Sequence, residues 1–231
     1  MRFFKLRMKR FLTAVFLSAA ILQVAADRPN SLGPLVALLN QSQDVTFQLD
    51  VLKGISQAMQ GRSKAEMPKG WGAVESKLGK SSHGEIRTLT RSLSLTFGSE
   101  NALNALRTIL KDKSAATSDR LNAMNALVQT GDPQLPGALL ILVKDPDVRS
   151  DAIRHLARFN QTATPGVLLE VYNELTGSEK QRALSVLASR AQYAKSLLGA
   201  IERGGIPKSD LSAALVRELR NLKDDEINTK L

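Results

Sequence analysis

Imidazoles, thiolates and clustered carboxylates hold most protein-bound metals and run most acid–base chemistry. This chain is sparing with them. It has no cysteine and only two histidines, His83 and His155, set in different parts of the chain without the further ligands a shared metal or haem site needs. The absence of Cys excludes disulfides, thiolate metal sites, covalent haem attachment through C-x-x-C-H and a lipid-modified N-terminal Cys. No G-x-G-x-x-G, P-loop or zinc spacing occurs. Serines are plentiful, but no nucleophile sits on a strand-to-helix elbow, because no strand is expected. The pair Asp224-Asp225 reads as helix-start charge, favourable at the positive end of the helix dipole. On these grounds the chain is expected not to be an enzyme, with no catalytic, cofactor-binding or metal residue and no cofactor.

What does recur is arginine. Arg87, Arg120, Arg149 and Arg182 lie 33, 29 and 33 residues apart, each early in an apolar-periodic stretch. From there they are expected to bridge to acids or carbonyls of the adjacent repeat, with Asp119, Asp147 and Glu179 as partners. Arg91, Arg154, Arg158 and Lys195 lie further along their helices and are the expected basic interaction surface. The lone Trp71 follows Met67-Pro68-Lys69-Gly70. It either fills a partner's pocket or pins its own loop to the core, the second being the commoner use of such a residue.

Helices must position these residues. Aromatics are only 4% of the chain while Leu and Ala dominate, which favours an all-α fold over strands rich in Val, Ile, Tyr and Phe. Apolar residues follow the arginines in step: Leu89 and Leu93, Met124 and Leu127, Ile153 and Leu156, Leu184 and Leu187. After Pro146, residues Val148, Ala152, Ile153, Leu156 and Ala157 fall on one stripe, with Arg149, Asp151, Arg154 and Arg158 on the other face. One such hairpin cannot bury its stripe alone, so neighbours must stack.

The spacing predicts helices over 31–40 with 44–60, 71–80 with 83–96, 99–111 with 117–130, 133–143 with 146–159, 164–175 with 178–190, and 191–202 with 208–221, with a last fragment from Asp224. That is a HEAT-like α-solenoid of about six antiparallel helix pairs. Asp132-Pro133, Asp145-Pro146 and Thr164-Pro165 read as N-caps before a first-turn proline, and Asp44, Ser99, Ser118 and Ser178 as further caps. Residues 61–70 (GRSKAEMPKG) read as an inserted loop.

The N-terminus reads as an address. Arg2, Lys5, Arg7, Lys9 and Arg10 precede the apolar run 11–24, and Val24-Ala25-Ala26 offers the small residues a signal peptidase reads. Residues 1–26 are therefore expected to be a signal peptide, or else an uncleaved anchor, leaving 27–231 as the helical domain. The body would be exported, periplasmic or on the cell surface, touching a membrane only through an uncleaved N-terminus. The net charge of +10 also shrinks: 32 basic residues less these five leave 27 against 22 acidic ones, or +5. So modest and scattered an excess does not make a phosphate-tracking stripe, and no nucleic-acid partner is expected.

The run Asp145-Pro146-Asp147-Val148-Arg149 followed by Ala152-Ile153-Arg154-His155-Leu156 resembles the signature of HEAT repeats. The blocks 48–54 (QLDVLKG), 67–71 (MPKGW), 91–98 (RSLSLTFG) and 217–222 (RELRNL) resemble the helical segment of large exported bacterial proteins described as membrane-bound dehydrogenases. Those proteins combine a propeller, HEAT-like repeats and a terminal c-type cytochrome domain. The resemblance spans about residues 28–231 and implies a segment without chemistry of its own, since the family's C-x-x-C-H haem site has no counterpart here. It implies a truncated or split member, with a c-type cytochrome or propeller domain as partner. The expected function is thus a non-catalytic, exported scaffold that binds a protein through its inner helices. The alternative is a structural segment of a cytochrome-linked dehydrogenase whose haem domain is on another chain or lost by truncation.

Overall fold

The computed structural model describes residues 32–231, and every regular element among them is helical: thirteen α-helices and two 3₁₀ turns. The fold class is all-α. The expected signal peptide or anchor over 1–26 lies outside the described residues, and no described helix is long and apolar enough to cross a membrane. The chain divides into two compact units, Met1–Leu106 and Arg107–Leu231, with the division falling inside the helix Glu100–Lys111.

In the first unit α1 (Gly33–Gln41) packs on α2 (Val45–Ala58) and α3 (Trp71–Leu78), while α4 (Gly84–Thr96) packs on α2 and α3. Local chemistry sets the helix starts. Pro34 occupies the first turn of α1, where a missing N–H costs nothing. Asp44 caps α2 by accepting from the Thr46 and Phe47 amides at 2.9 and 3.3 Å. The stripes Val36 and Leu39, Leu52 and Ile55, Val74 and Leu78, Ile86 and Leu93 meet in one core. Each fully buried aliphatic side chain contributes about 1.5–3 kcal/mol relative to exposure. Between α2 and α3 the chain makes turns without a helix, tied to the end of α4 where the Ala65 amide donates to the Thr96 carbonyl at 2.8 Å. Gly70, at φ 87°, supplies the left-handed residue from which α3 starts.

After α5 (Glu100–Lys111), the second unit contains α6 (Thr117–Thr130), α7 (Leu135–Leu142), α8 (Arg149–Leu156), α9 (Thr164–Val171), α10 (Gly177–Ala188), α11 (Ala191–Glu202), α12 (Ala213–Arg220) and α13 (Asp225–Lys230). Two successions run through it: α10 packs on α8 and α12, and α11 packs on α9 and α13. The rows are joined where α10 meets α11 and α12 meets α13. Small residues on the facing stripes, Ala152, Ala183 and Ala194, leave room for Leu156, Leu187 and Leu197, all fully buried.

Several helix starts differ from expectation. Thr164 is the first residue of α9, behind Ala163, α6 starts at Thr117 behind Ala116 and not at a Ser118 cap, and α10 is capped by Thr176 and not by Ser178. Asp132 and Asp145 are not N-caps: α7 begins at Leu135 behind Gln134, and α8 at Arg149 behind Val148, neither with a side-chain cap. Both carboxylates are buried instead, each held by an arginine 25 residues earlier. The helix expected over 208–221 is also divided, into a 3₁₀ turn Lys208–Asp210 and α12, which is capped by Ser212, its hydroxyl oxygen accepting from the Leu215 amide at 3.2 Å.

Candidate interaction surface

Three buried arginines fix the second unit's helices against one another. Arg107 donates through Nε to Asp132 Oδ2 at 3.0 Å and through Nη2 to Asp132 Oδ1. Arg120, 1% exposed, donates through Nη2 to Asp145 Oδ2 at 2.6 Å and through Nε to the Leu110 carbonyl at 3.1 Å. Burial pushes the Asp145 carboxyl up, but the hydrogen bonds from Arg120 and the Asp147 amide, with the Arg120 charge, outweigh it and hold the group below its ordinary range. Arg149 reaches the Glu174 carbonyl at 3.4 Å and stands 3.7 Å from Glu179 Oε1. Glu179 is held by its own capping box, accepting from the Thr176 amide at 2.8 Å.

On this frame α10 presents Gln181 and Ser185, one helical turn apart, to a surface hollow on each side. The first hollow, about 380 Å³, is lined by Arg154 and Ala157 at the end of α8 and by Arg182. The second, about 500 Å³, has Leu184 and Leu215 with Lys180, Asp210, Ser212 and Glu218 around them. Tyr172 OH donates to Asp210 Oδ2 at 2.8 Å, and the Lys180 ammonium lies 5.2 Å from the centre of the Tyr172 ring. Burial first, then the Asp210 hydrogen bond and charge, push the Tyr172 phenol far above its ordinary value, so it stays a neutral donor. Among the described residues Gln181, Ser185, Arg182 and Glu218 have no side-chain partner.

The sequence-derived candidates distribute unevenly over this geometry. Arg154 and the exposed Arg158 do sit at the α8 side, with Arg154 also paired to Asp151. Arg91 is exposed on α4 of the first unit. Lys195 lies on α11, in the other succession, bound to Asp224 and Glu226 of the α13 start at 3.1 and 2.8 Å. Those two carboxylates raise the Lys195 pKa and make it a clamp on the last helix. Trp71 cannot enter a partner's pocket, being 0% exposed; its Nε1 donates to Ser94 Oγ at 2.9 Å and its ring meets Phe97 edge-on at 4.9 Å. It pins α3 to α4.

The junction arginines divide likewise. Arg120 and Arg149 bridge forward, although the principal partner of Arg120 is Asp145, with Asp147 at 4.0 Å. Arg87 is exposed and donates to the Ser81 and Ser82 carbonyls at 2.6 and 2.9 Å, closing the start of its own helix. Arg182 is exposed and belongs to the hollow. Arg107 was not a sequence candidate, although its offset of 25 from Asp132 repeats that of Arg120 from Asp145.

Comparison with family models, with curated proteins and with solved structures finds no match for this chain. Among the described residues no three His, Asp or Glu side chains gather as a metal site would require. His83 stands exposed at the start of α4. His155 is buried and pairs through Nε2 with Asn125 Oδ1 at 3.1 Å. Burial, then the charge of Arg154, lowers its pKa and keeps the ring neutral at pH 7.

Proposed function

We propose that this chain is a non-catalytic helical-repeat scaffold of HEAT-like solenoid type, exported from the cytoplasm, that binds a protein through the face formed by α8, α10 and α12. The reading rests most on one observation: the row α8–α10–α12 carries two adjoining hollows whose lining includes Gln181, Arg182, Ser185 and Glu218, side chains with no partner among the described residues. The buried Arg149–Glu179 pair between α8 and α10 and alanine-lined contacts hold that face in place before anything binds. A preformed surface loses little conformational entropy on association. Export is supported by the basic and then apolar N-terminal sequence ending in Val24-Ala25-Ala26.

A photo-crosslinking amino acid at Gln181 in the full-length tagged chain tests the binding face, with the same group at exposed Gln192 on α11 as control. A discrete adduct from Gln181 and none from Gln192 supports the assignment; equal labelling, or none from either, refutes it. A trapped chain bearing c-type haem would favour the reading as a segment of a cytochrome-linked dehydrogenase. Cell fractionation of the same chain tests export, and a full-length cytosolic product would refute it.

A further inference from the structure

The two hollows on either side of α10 differ in charge. Beside α8 lie Arg182 and Arg154, the latter also paired to Asp151 outside the hollow, with no lining acid; beside α12 lie Glu218 and Asp210, the latter accepting from Tyr172 OH, against the single Lys180. Arg182 and Glu218 are exposed and unpartnered among the described residues, so each retains its full capacity for an incoming charge. Gln181 and Ser185 border both hollows and offer an amide and a hydroxyl, groups that can donate to and accept from a peptide backbone. Leu184 and Leu215 give the acidic hollow an apolar surface for the stem of a long side chain.

We infer that this site takes an extended peptide segment that crosses α10 over Gln181 and Ser185, placing a carboxylate side chain by Arg154 and Arg182 and a Lys or Arg side chain by Asp210 and Glu218. The inference rests on the reading of α8–α10–α12 as the binding face and specifies the chemistry of its occupant. Packed helices are about 8–10 Å apart. An extended chain advances about 3.3 Å per residue, so the acid and the base lie two or three residues apart. Opposite charge at the two ends also sets the segment's direction.

The test is selection of a random twelve-residue peptide library on the full chain, in parallel with the Arg182→Glu/Glu218→Lys double variant. Both residues are exposed, and circular dichroism checks that the variant folds as the parent does. The parent is expected to enrich peptides with an acid and a base two or three positions apart. Those peptides should bind the double variant about tenfold more weakly, with smaller losses for Arg182→Ala and Glu218→Ala singly. Equal binding to parent and variant overturns the inference, as does enrichment for uniformly acidic or uniformly basic peptides. Failure to enrich any peptide overturns it too; an adduct from Gln181 would then leave the binding face standing with a different occupant.

Discussion

Replacing Arg120 with Met leaves the Asp145 carboxylate in place but takes away the guanidinium 2.6 Å from it. Both groups are buried, at 1% and 7% exposure, so water cannot substitute freely for the lost partner. Stranding one member of a buried ion pair costs about 3–5 kcal/mol. That is a large share of the roughly 5–15 kcal/mol that holds a typical protein folded. Asp145→Asn instead leaves the guanidinium charge without its close carboxylate, with the Leu110 carbonyl and the neutral Asn oxygen as acceptors and Asp147 at 4.0 Å. The double variant Arg120→Met/Asp145→Asn leaves neither charge stranded, so its cost should fall below the sum of the two singles by about 1–3 kcal/mol. Urea unfolding followed by far-UV circular dichroism reads all three. Acid supplies a second arm: Asp145 has a folded pKa below its ordinary 3.8, so it contributes stability above that value and loses it as pH falls through the folded pKa. Asp145→Asn should therefore flatten the fall in stability below about pH 4. Singles costing under about 1 kcal/mol, or strictly additive losses, would refute the buried-pair reasoning.

Other consequences follow from individual contacts. Trp71, the only tryptophan, should emit at short wavelength and resist iodide quenching; Trp71→Phe should cost about 2–4 kcal/mol, because it opens a void and strands the Ser94 hydroxyl. His155 has a folded pKa below 6.5, so the unfolded chain takes up that proton first as acidity rises. Stability should thus decline as pH drops below about 6.5, and His155→Gln, which keeps a donor for Asn125, should remove that part of the slope in thermal melts at pH 5 to 7. Thr176→Ala, which breaks the capping box on α10, should lower stability by about 1 kcal/mol in urea titration.

Helix positions were legible because the apolar period is regular along the chain, even where the residues expected to cap the helices do not. Asp44 caps α2 as its spacing suggests. Of the expected stripe, Val148, Ala152, Ile153 and Leu156 are buried while Ala157, just past the end of α8, is exposed, and Arg149, expected on the other face, is buried. Asp132 and Asp145 were misread for a physical reason. An Asp before Pro has the chemistry of a cap, but an arginine 25 residues earlier draws the carboxylate into the interior, and the pull of a distant partner is not written locally. Lys195 misled in the same way, since its position along α11 resembles a free basic face until α13 folds over it with Asp224 and Glu226. Arg154, late in α8, lines one hollow, whereas Arg158, two residues past the helix end, is exposed and does not line it. The hollows were not, because Gln181 meets Arg154 on one side and Glu218 on the other only through helix packing that no spacing in the chain records.

Hydrogen exchange with a peptide enriched on the full chain tests the proposed binding face most directly. Added protection concentrated in α10 and α12, with the α9 and α11 amides unchanged, is the predicted result. Protection confined to α9 and α11, or no change in α10 under saturating peptide, would contradict the assignment of α8–α10–α12 as the surface through which this chain acts.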